Sequence, residues 1–202
     1  MKLYDYLPSG NSYKVRLLLS YLGRAYTHVP IDIHKAETHT SEFLAKNPAG
    51  QIPMLELDDG RILAESNAII LYLGEGSPLI SADKFDRAKM YQWMFFEQYK
   101  HEPAIAVARY IRHYAMDNRA DELPKLMERG KAVLAIMERY LSERDWFAGD
   151  ARSLADVALY AYTHVAHEGG FDMAPYPNIQ TWLERFSDHP NHILITDQPS
   201  SG

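Results

Sequence analysis

Every convincing strand signal in this 202-residue chain falls before residue 76, and only helical patterns follow. That division restricts the fold to a small α/β layer joined to a helical body. Lys2 to Leu7 is β-prone and stops at Pro8. From Asn11 to Leu22, Val15, Leu18, Leu19 and Leu22 recur at helical spacing, and Gly23 sits where a C-terminal glycine belongs. Thr27 to Ile33 (THVPIDI) reads as a second strand, with Pro30 suggesting an edge. Thr40 or Ser41 caps a short helix over Glu42 to Lys46, which Asn47-Pro48-Ala49-Gly50 breaks. Met54 to Leu57 and Arg61 to Leu63 flank Asp58-Asp59-Gly60 as a hairpin. Ser66 is expected to cap a helix through Leu73, ended by Gly74 and Gly76. The order βαβαββα describes an α/β layer fold of thioredoxin type.

The stretch EGSPLISAD, Glu75 to Asp83, then reads as a linker. The expected organisation is a thioredoxin-like domain over 1–76, a linker at 77–84, and an all-α bundle domain over 85–202. Within the second part, Phe85 to Ala115 is a long helix or a bent pair interrupted near Pro103. Glu122 to Leu141, Ser153 to His167 and Asn178 to Phe186 are further helices. MYQWMFFEQY, Met90 to Tyr99, is apolar nearly all round. Such a helix is covered on more than one side, by its own bundle and by the first domain or a second subunit. The tail Gln198 to Gly202 is expected to be loose.

Composition removes several function classes. With 47% apolar residues the chain can bury a full core. A formal charge of -6 argues against nucleic acid as a partner. The absence of cysteine removes disulfides, thiolate metal sites and a protein thiol nucleophile. The N-terminus lacks the apolar core of a signal peptide, and no apolar run reaches the ~18 residues of a membrane span. The expectation is a soluble cytoplasmic protein without a membrane partner.

Four stretches carry chemistry or capping. In YLPSGNSYKV, residues 6–15, two hydroxyls and an amide sit on a strand-to-helix corner. The motif alone fits turn chemistry and an N-cap as well as a polar site. In GQIPML, residues 50–55, Pro53 precedes a strand. A trans proline opening the strand is the simpler reading; a cis Ile52-Pro53 bond would turn the Ile52 N–H and C=O outward, toward an extended peptide-like ligand. In ESNAIILYL, residues 65–73, the Ser66 hydroxyl and the first helical N–H groups can hold an anion, and Glu65 an ammonium. Simple capping again suffices for the motif in isolation. Ser153 and Asp156 in SLAD have capping-box spacing and read as structural. No metal site is expected: HEPAI lacks the second histidine of a metalloprotease helix, and His164 with His167 has no placed carboxylate. Arg109, Arg112 and His113, with Tyr110 and Tyr114, form a solvated helix face or line a pocket.

Together these stretches resemble the cytosolic glutathione S-transferase family. YLPSGNSYKVRLLL, NPAGQIPML, ESNAIILYL and WFAGDARSLADVALYAY span nearly the whole chain, in order and at family-like spacing. The resemblance implies a thioredoxin-like domain followed by a helical domain, a homodimer, and glutathione as a co-substrate with no other cofactor. It also implies a cis-proline at Pro53 and a Glu65-Ser66 pair that binds the γ-glutamyl end of glutathione. Counting back from Val15, Ser9 takes the place of the catalytic serine of the theta and delta classes, with no tyrosine or cysteine replacing it. Asn11 matches the asparagine of the disulfide-reducing nu class, where threonine stands at the Ser9 position. Gln51 and the Ile52 backbone are implied to contact the cysteinyl and glycyl parts. Serine-type members often carry a histidine five residues before the phenylalanine of the second helix; here that position is Thr38, and His39 follows as a candidate for the glycine carboxylate. Arg109, Tyr110 and Arg112 are implied to line the pocket for an electrophilic second substrate.

The chemistry this implies is sparing. A free thiol has a pKa of ~8.5, so few molecules are thiolate at neutral pH. Bringing that pKa down by ~2 takes about 2.7 kcal/mol, and one hydrogen bond to a charged group supplies about 1.5–3 kcal/mol. Ser9 or Asn11, near a helix N-terminus, is therefore sufficient to activate glutathione for detoxifying conjugation. The alternatives are a glutathione-dependent disulfide reductase or peroxidase and a non-catalytic glutathione-binding protein.

Overall fold

A computed structural model describes residues 1–199. It divides them into two compact units, Met1–Glu75 with the segment from Pro190 onward, and Gly76–His189.

The first unit is built on a four-stranded mixed sheet in the order β2-β1-β3-β4. The strands are β1 (Lys2–Asp5), β2 (Thr27–Pro30), β3 (Met54–Glu56) and β4 (Ile62–Ala64). β1 runs parallel to β2, with Asp5 opposite Pro30, and antiparallel to β3, with Leu3 opposite Leu55. Pro30 lies on an edge strand, where a missing N–H leaves no gap in the ladder. The strand expected to reach Ile33 ends earlier because Asp32 accepts from the His34 N–H at 2.9 Å and starts a 3₁₀ turn. The helices are α1 (Gly10–Tyr21), α2 (Ser41–Lys46) and α3 (Ser66–Gly74), and α1 packs on α3.

α1 is buried from Ser12 through Leu19, its charged residues Lys14 and Arg16 included. Part of that cover is the C-terminal segment. Tyr13 Oη donates to Ile193 O at 2.6 Å, and Ser20 Oγ to Asn191 O at 2.7 Å. Arg16 donates to the carbonyls of Leu7, Ile195 and Asp197 at 2.6, 3.2 and 3.3 Å while pairing with the buried Asp5 carboxylate at 2.9 Å. Residues 190–199, read from sequence as part of an all-α domain over 85–202, therefore group with the first unit. Of the tail expected to be loose, Gln198 and Pro199 line a cleft with Arg16, Arg24 and Tyr26, while Ser200, Ser201 and Gly202 lie outside the described residues.

The second unit is a helical domain, following the thioredoxin-like one in the chain. It holds α4 (Lys84–Phe96), α5 (Glu102–Tyr110), α6 (Met116–Arg119), α7 (Leu123–Leu141), α8 (Leu154–Thr163) and α9 (Pro177–Ser187). The path from Lys84 to Ala115 is interrupted near Pro103, as expected. A π-turn at Glu97–His101 precedes α5, and Pro103 sits in its first turn. The wider turn accommodates a residue with no N–H and a ring that would press on the preceding turn. Ser153 to His167 is likewise divided: α8 stops at Thr163, and a 3₁₀ turn covers Ala166–Gly169.

Asp156 joins the core of this unit. Its carboxylate accepts from the Ser153 N–H at 2.9 Å and Ser153 Oγ at 2.7 Å, and from the Phe147 N–H at 3.1 Å and Trp182 Nε1 at 3.0 Å. Burial pushes the Asp156 carboxyl up, and these hydrogen bonds oppose the shift. The SLAD motif is structural, as its spacing predicts. Among the described residues no helix is long and apolar enough to cross a membrane.

Candidate functional site

β1 delivers the chain to the corner at 6–12. The Ser9 N–H donates to Tyr6 O at 2.8 Å, and Ser9 O accepts from the Tyr13 N–H at 2.9 Å, which begins α1. Ser9 is extended (φ -73, ψ 122) and its Oγ accepts from the Ser12 N–H at 3.3 Å. It is thus the N-cap of α1. A hydroxyl that accepts in this way still carries its own proton to donate. Asn11, half-buried, lies two residues on and accepts at Oδ1 from Ser66 Oγ at 3.4 Å. Its Nδ2 faces the opposite side of the amide.

Ser66 does not cap α3. The cap position belongs to Glu65, which makes no side-chain capping bond and sits at φ 68, ψ 112. The Glu65 carbonyl accepts from the Ile69 N–H at 2.9 Å, and its side chain is exposed. Ser66 is buried, and its hydroxyl is engaged sideways with α1 rather than along its own helix. Non-glycine residues with positive φ are strained, and such strain gathers at binding sites.

Along the next edge, the Ile52-Pro53 bond is cis. Pro53 is buried, Ile52 half-buried and Gln51 exposed. Buried Asn47 donates through Nδ2 to Gln51 O at 2.8 Å and fixes the loop. Gly50 has φ 63, and a Cβ there would lie 2.9 Å from His39 Nδ1. His39 therefore stacks on the glycine directly before Gln51. Thr38, at the position of the family's histidine, is buried, while the candidate His39 next to it is exposed.

In the helical unit Arg109 and Arg112 are engaged internally. Arg109 Nε meets Glu168 Oε2 at 2.6 Å, His113 Nε2 meets the same oxygen at 3.0 Å, and Arg112 Nε donates to Gly169 O at 2.9 Å. Burial pushes the Glu168 carboxyl up, but Arg109 and His113 outweigh it and hold it below its ordinary range. Tyr110 is exposed, with its ring 5.5 Å from that of Tyr114.

Lys14 escaped the sequence reading. Its side chain is fully buried, and its ammonium donates to Ser66 Oγ at 3.4 Å. The available signal was the run Val15, Leu17, Leu18, Leu19, which leaves α1 no wide polar face for a charge to occupy. Lys14, Ser66 and Asn11 thus join two stretches that are far apart in sequence.

Residues 1–75 match the family model for the glutathione S-transferase N-terminal domain, and residues 88–190 that for its C-terminal domain. A crystal structure of a glutathione S-transferase from Pseudomonas fluorescens superposes with a TM-score of 0.94 at 48% identity, covering 97% of this chain and 98% of that one. A structure of Ure2p in complex with glutathione gives 0.86 at 26% identity, over 94% and 95% of the two chains. The disulfide-bond oxidoreductase YfcG of Escherichia coli is 26% identical, over 92% of this chain and 89% of its own. The chain belongs to the glutathione S-transferase family.

Proposed function

We propose that this protein binds glutathione in its first unit and transfers it, as the thiolate, to electrophilic small molecules. The observation that carries the reading is the Ser66–Asn11 hydrogen bond of 3.4 Å. It brings the α3 N-terminus, suited to a carboxylate, beside the corner that holds the candidate thiol activators. On this reading Glu65 meets the γ-glutamyl ammonium, and Ser66 with the first α3 N–H groups meets its carboxylate. The Ile52 backbone and Gln51 meet the cysteinyl and glycyl parts, and His39 the glycine carboxylate. Ser9, serine-type in the manner of theta and delta enzymes, donates its hydroxyl to the sulfur, and Asn11 offers its amide. The thiol proton leaves to solvent, the sulfur bonds to the electrophilic carbon, and with an aryl halide the halide departs. Arg109, Tyr110 and Arg112 belong to the second-substrate pocket in this proposal.

The reading includes a cytoplasmic detoxifying role and a homodimer. Phe95 and Tyr99, on successive turns and 73% and 79% exposed, supply an apolar face that a second copy would cover. Conjugation of a generic aryl halide by Ser9→Ala and Asn11→Ala tests the activity. Loss in either variant supports it; two variants as active as the parent overturn it.

Asn11 favours a second reading, glutathione-dependent disulfide or peroxide reduction, which the name of the Escherichia coli relative also supports. Turnover of a small disulfide or a hydroperoxide beside the aryl halide distinguishes the two. Glutathione binding by calorimetry with no turnover of any of the three identifies a non-catalytic binding protein.

A further inference from the structure

Lys14, Ser66 and Asn11 form a hydrogen-bond chain whose direction is set by their chemistry. Lys14 Nζ lies 3.4 Å from Ser66 Oγ, which lies 3.4 Å from Asn11 Oδ1. An ammonium has only donors, so Ser66 Oγ must accept from it. A serine hydroxyl has a single proton, which then points away from Lys14. In this structure that proton is given to an amide oxygen. A carboxylate arriving at the α3 N-terminus is the stronger acceptor, because hydrogen bonds to an ionised group exceed those to a neutral one. Lys14 and Ser66 are both buried, where low dielectric strengthens each charge and each member of a hydrogen-bond chain polarises the next.

We propose that Lys14 is a positioning residue that acts through Ser66. It holds and polarises the Ser66 hydroxyl as an outward donor and makes the α3 N-terminus select a carboxylate over its neutral amide. The proposal rests on the glutathione reading and specifies which end of that ligand Lys14 senses: the α-carboxylate of the glutamyl residue. A lysine that merely filled space would support every ligand of the site equally. One that aims a donor discriminates between ligands that differ only at that carboxylate.

Calorimetric titration with glutathione, and with an analogue whose glutamyl α-carboxylate is a carboxamide, tests this in the parent protein, Lys14→Met and Lys14→Arg. The parent is expected to prefer glutathione. Lys14→Met is expected to lose roughly tenfold in affinity for glutathione and less than about twofold for the amide, the loss of one charge-assisted hydrogen bond. Lys14→Arg is expected to keep most of the discrimination. Lys14→Gln, neutral but still a donor, is expected to lose it and serves the same comparison where the methionine variant does not fold. Equal losses for the two ligands, or unchanged affinity for glutathione in the neutral variants, overturn the proposal. A parent protein that binds no glutathione overturns the underlying reading, an outcome distinct from binding that ignores residue 14.

Discussion

Glu65 offers a way to separate backbone strain from side-chain chemistry at the candidate site. It sits at φ 68 and ψ 112 with its side chain exposed, so substitution removes little packing. A non-glycine residue in such a conformation costs about 1–3 kcal/mol. Glycine adopts it freely but has a looser unfolded chain, which offsets about 0.5–1 kcal/mol of the gain. Glu65→Ala keeps the Cβ and hence the strain, whereas Glu65→Gly relieves it. The glycine variant is therefore expected to be more stable than the alanine variant by about 1 kcal/mol, or about 2–4 °C in Tm for a chain of this size. Both variants lose the carboxylate that we propose holds the γ-glutamyl ammonium. Both should bind glutathione about fivefold more weakly, the equivalent of ~1 kcal/mol. Thermal melts and titration calorimetry on the pair, beside the parent, read both quantities. A glycine variant no more stable than the alanine one refutes the strain argument. Affinity unchanged in both refutes the role of the carboxylate.

Three further outcomes concern stability. Hydrogen bonds from Lys46, Lys2 and Tyr4 hold the Glu56 carboxyl down to about 2 from its ordinary 4.5. A depressed carboxylate contributes stability that is present above its unfolded value and is lost as pH falls through its folded one. The stability advantage of the parent over Glu56→Gln, about 1 kcal/mol after solvent screening and read from Tm at each pH, should therefore shrink between pH 5 and pH 2, and an advantage indifferent to pH refutes this. Gly130→Ala in α7 gains about 1 kcal/mol of helix propensity, but the new Cβ would lie 2.2 Å from Phe171 Cε1. Overpacking of about 1–3 kcal/mol should prevail and lower the Tm, with partial recovery in the Gly130→Ala/Phe171→Leu double variant; a raised Tm for the single variant refutes it. Asp156→Ala strands the Phe147 and Ser153 N–H groups and Trp182 Nε1, at about 1–3 kcal/mol for each buried orphan. Its Tm should fall by at least 6 °C, and a drop within 2 °C refutes the accounting.

Periodicity carried the element types. Alternation and turn residues placed all four strands, and the spacing of Val15, Leu18 and Leu19 placed α1. Pro30 marked an edge, and SLAD marked a cap, because proline lacks a donor and a Ser-x-x-Asp spacing returns an acceptor to the chain. These are local properties, legible without partners. Local rules failed where a distant segment supplied the partner. Ser66 reads as a cap from its own neighbourhood, yet Lys14 and Asn11, more than fifty positions away, take its hydroxyl.

By itself, then, the sequence determined an α/β unit followed by helices, and the strand-to-helix corners on which polar side chains stand. Only the tertiary structure decided that Lys14 and Arg16 are buried, that residues 190–199 return to α1, and that Glu65 rather than Ser66 takes the strained cap position. The physical reason is common to all three. Periodicity reports which face of an element is apolar, whereas the partner of a buried donor or carbonyl is set by which remote backbone the packing brings within about 3 Å, and no spacing along the chain encodes that distance.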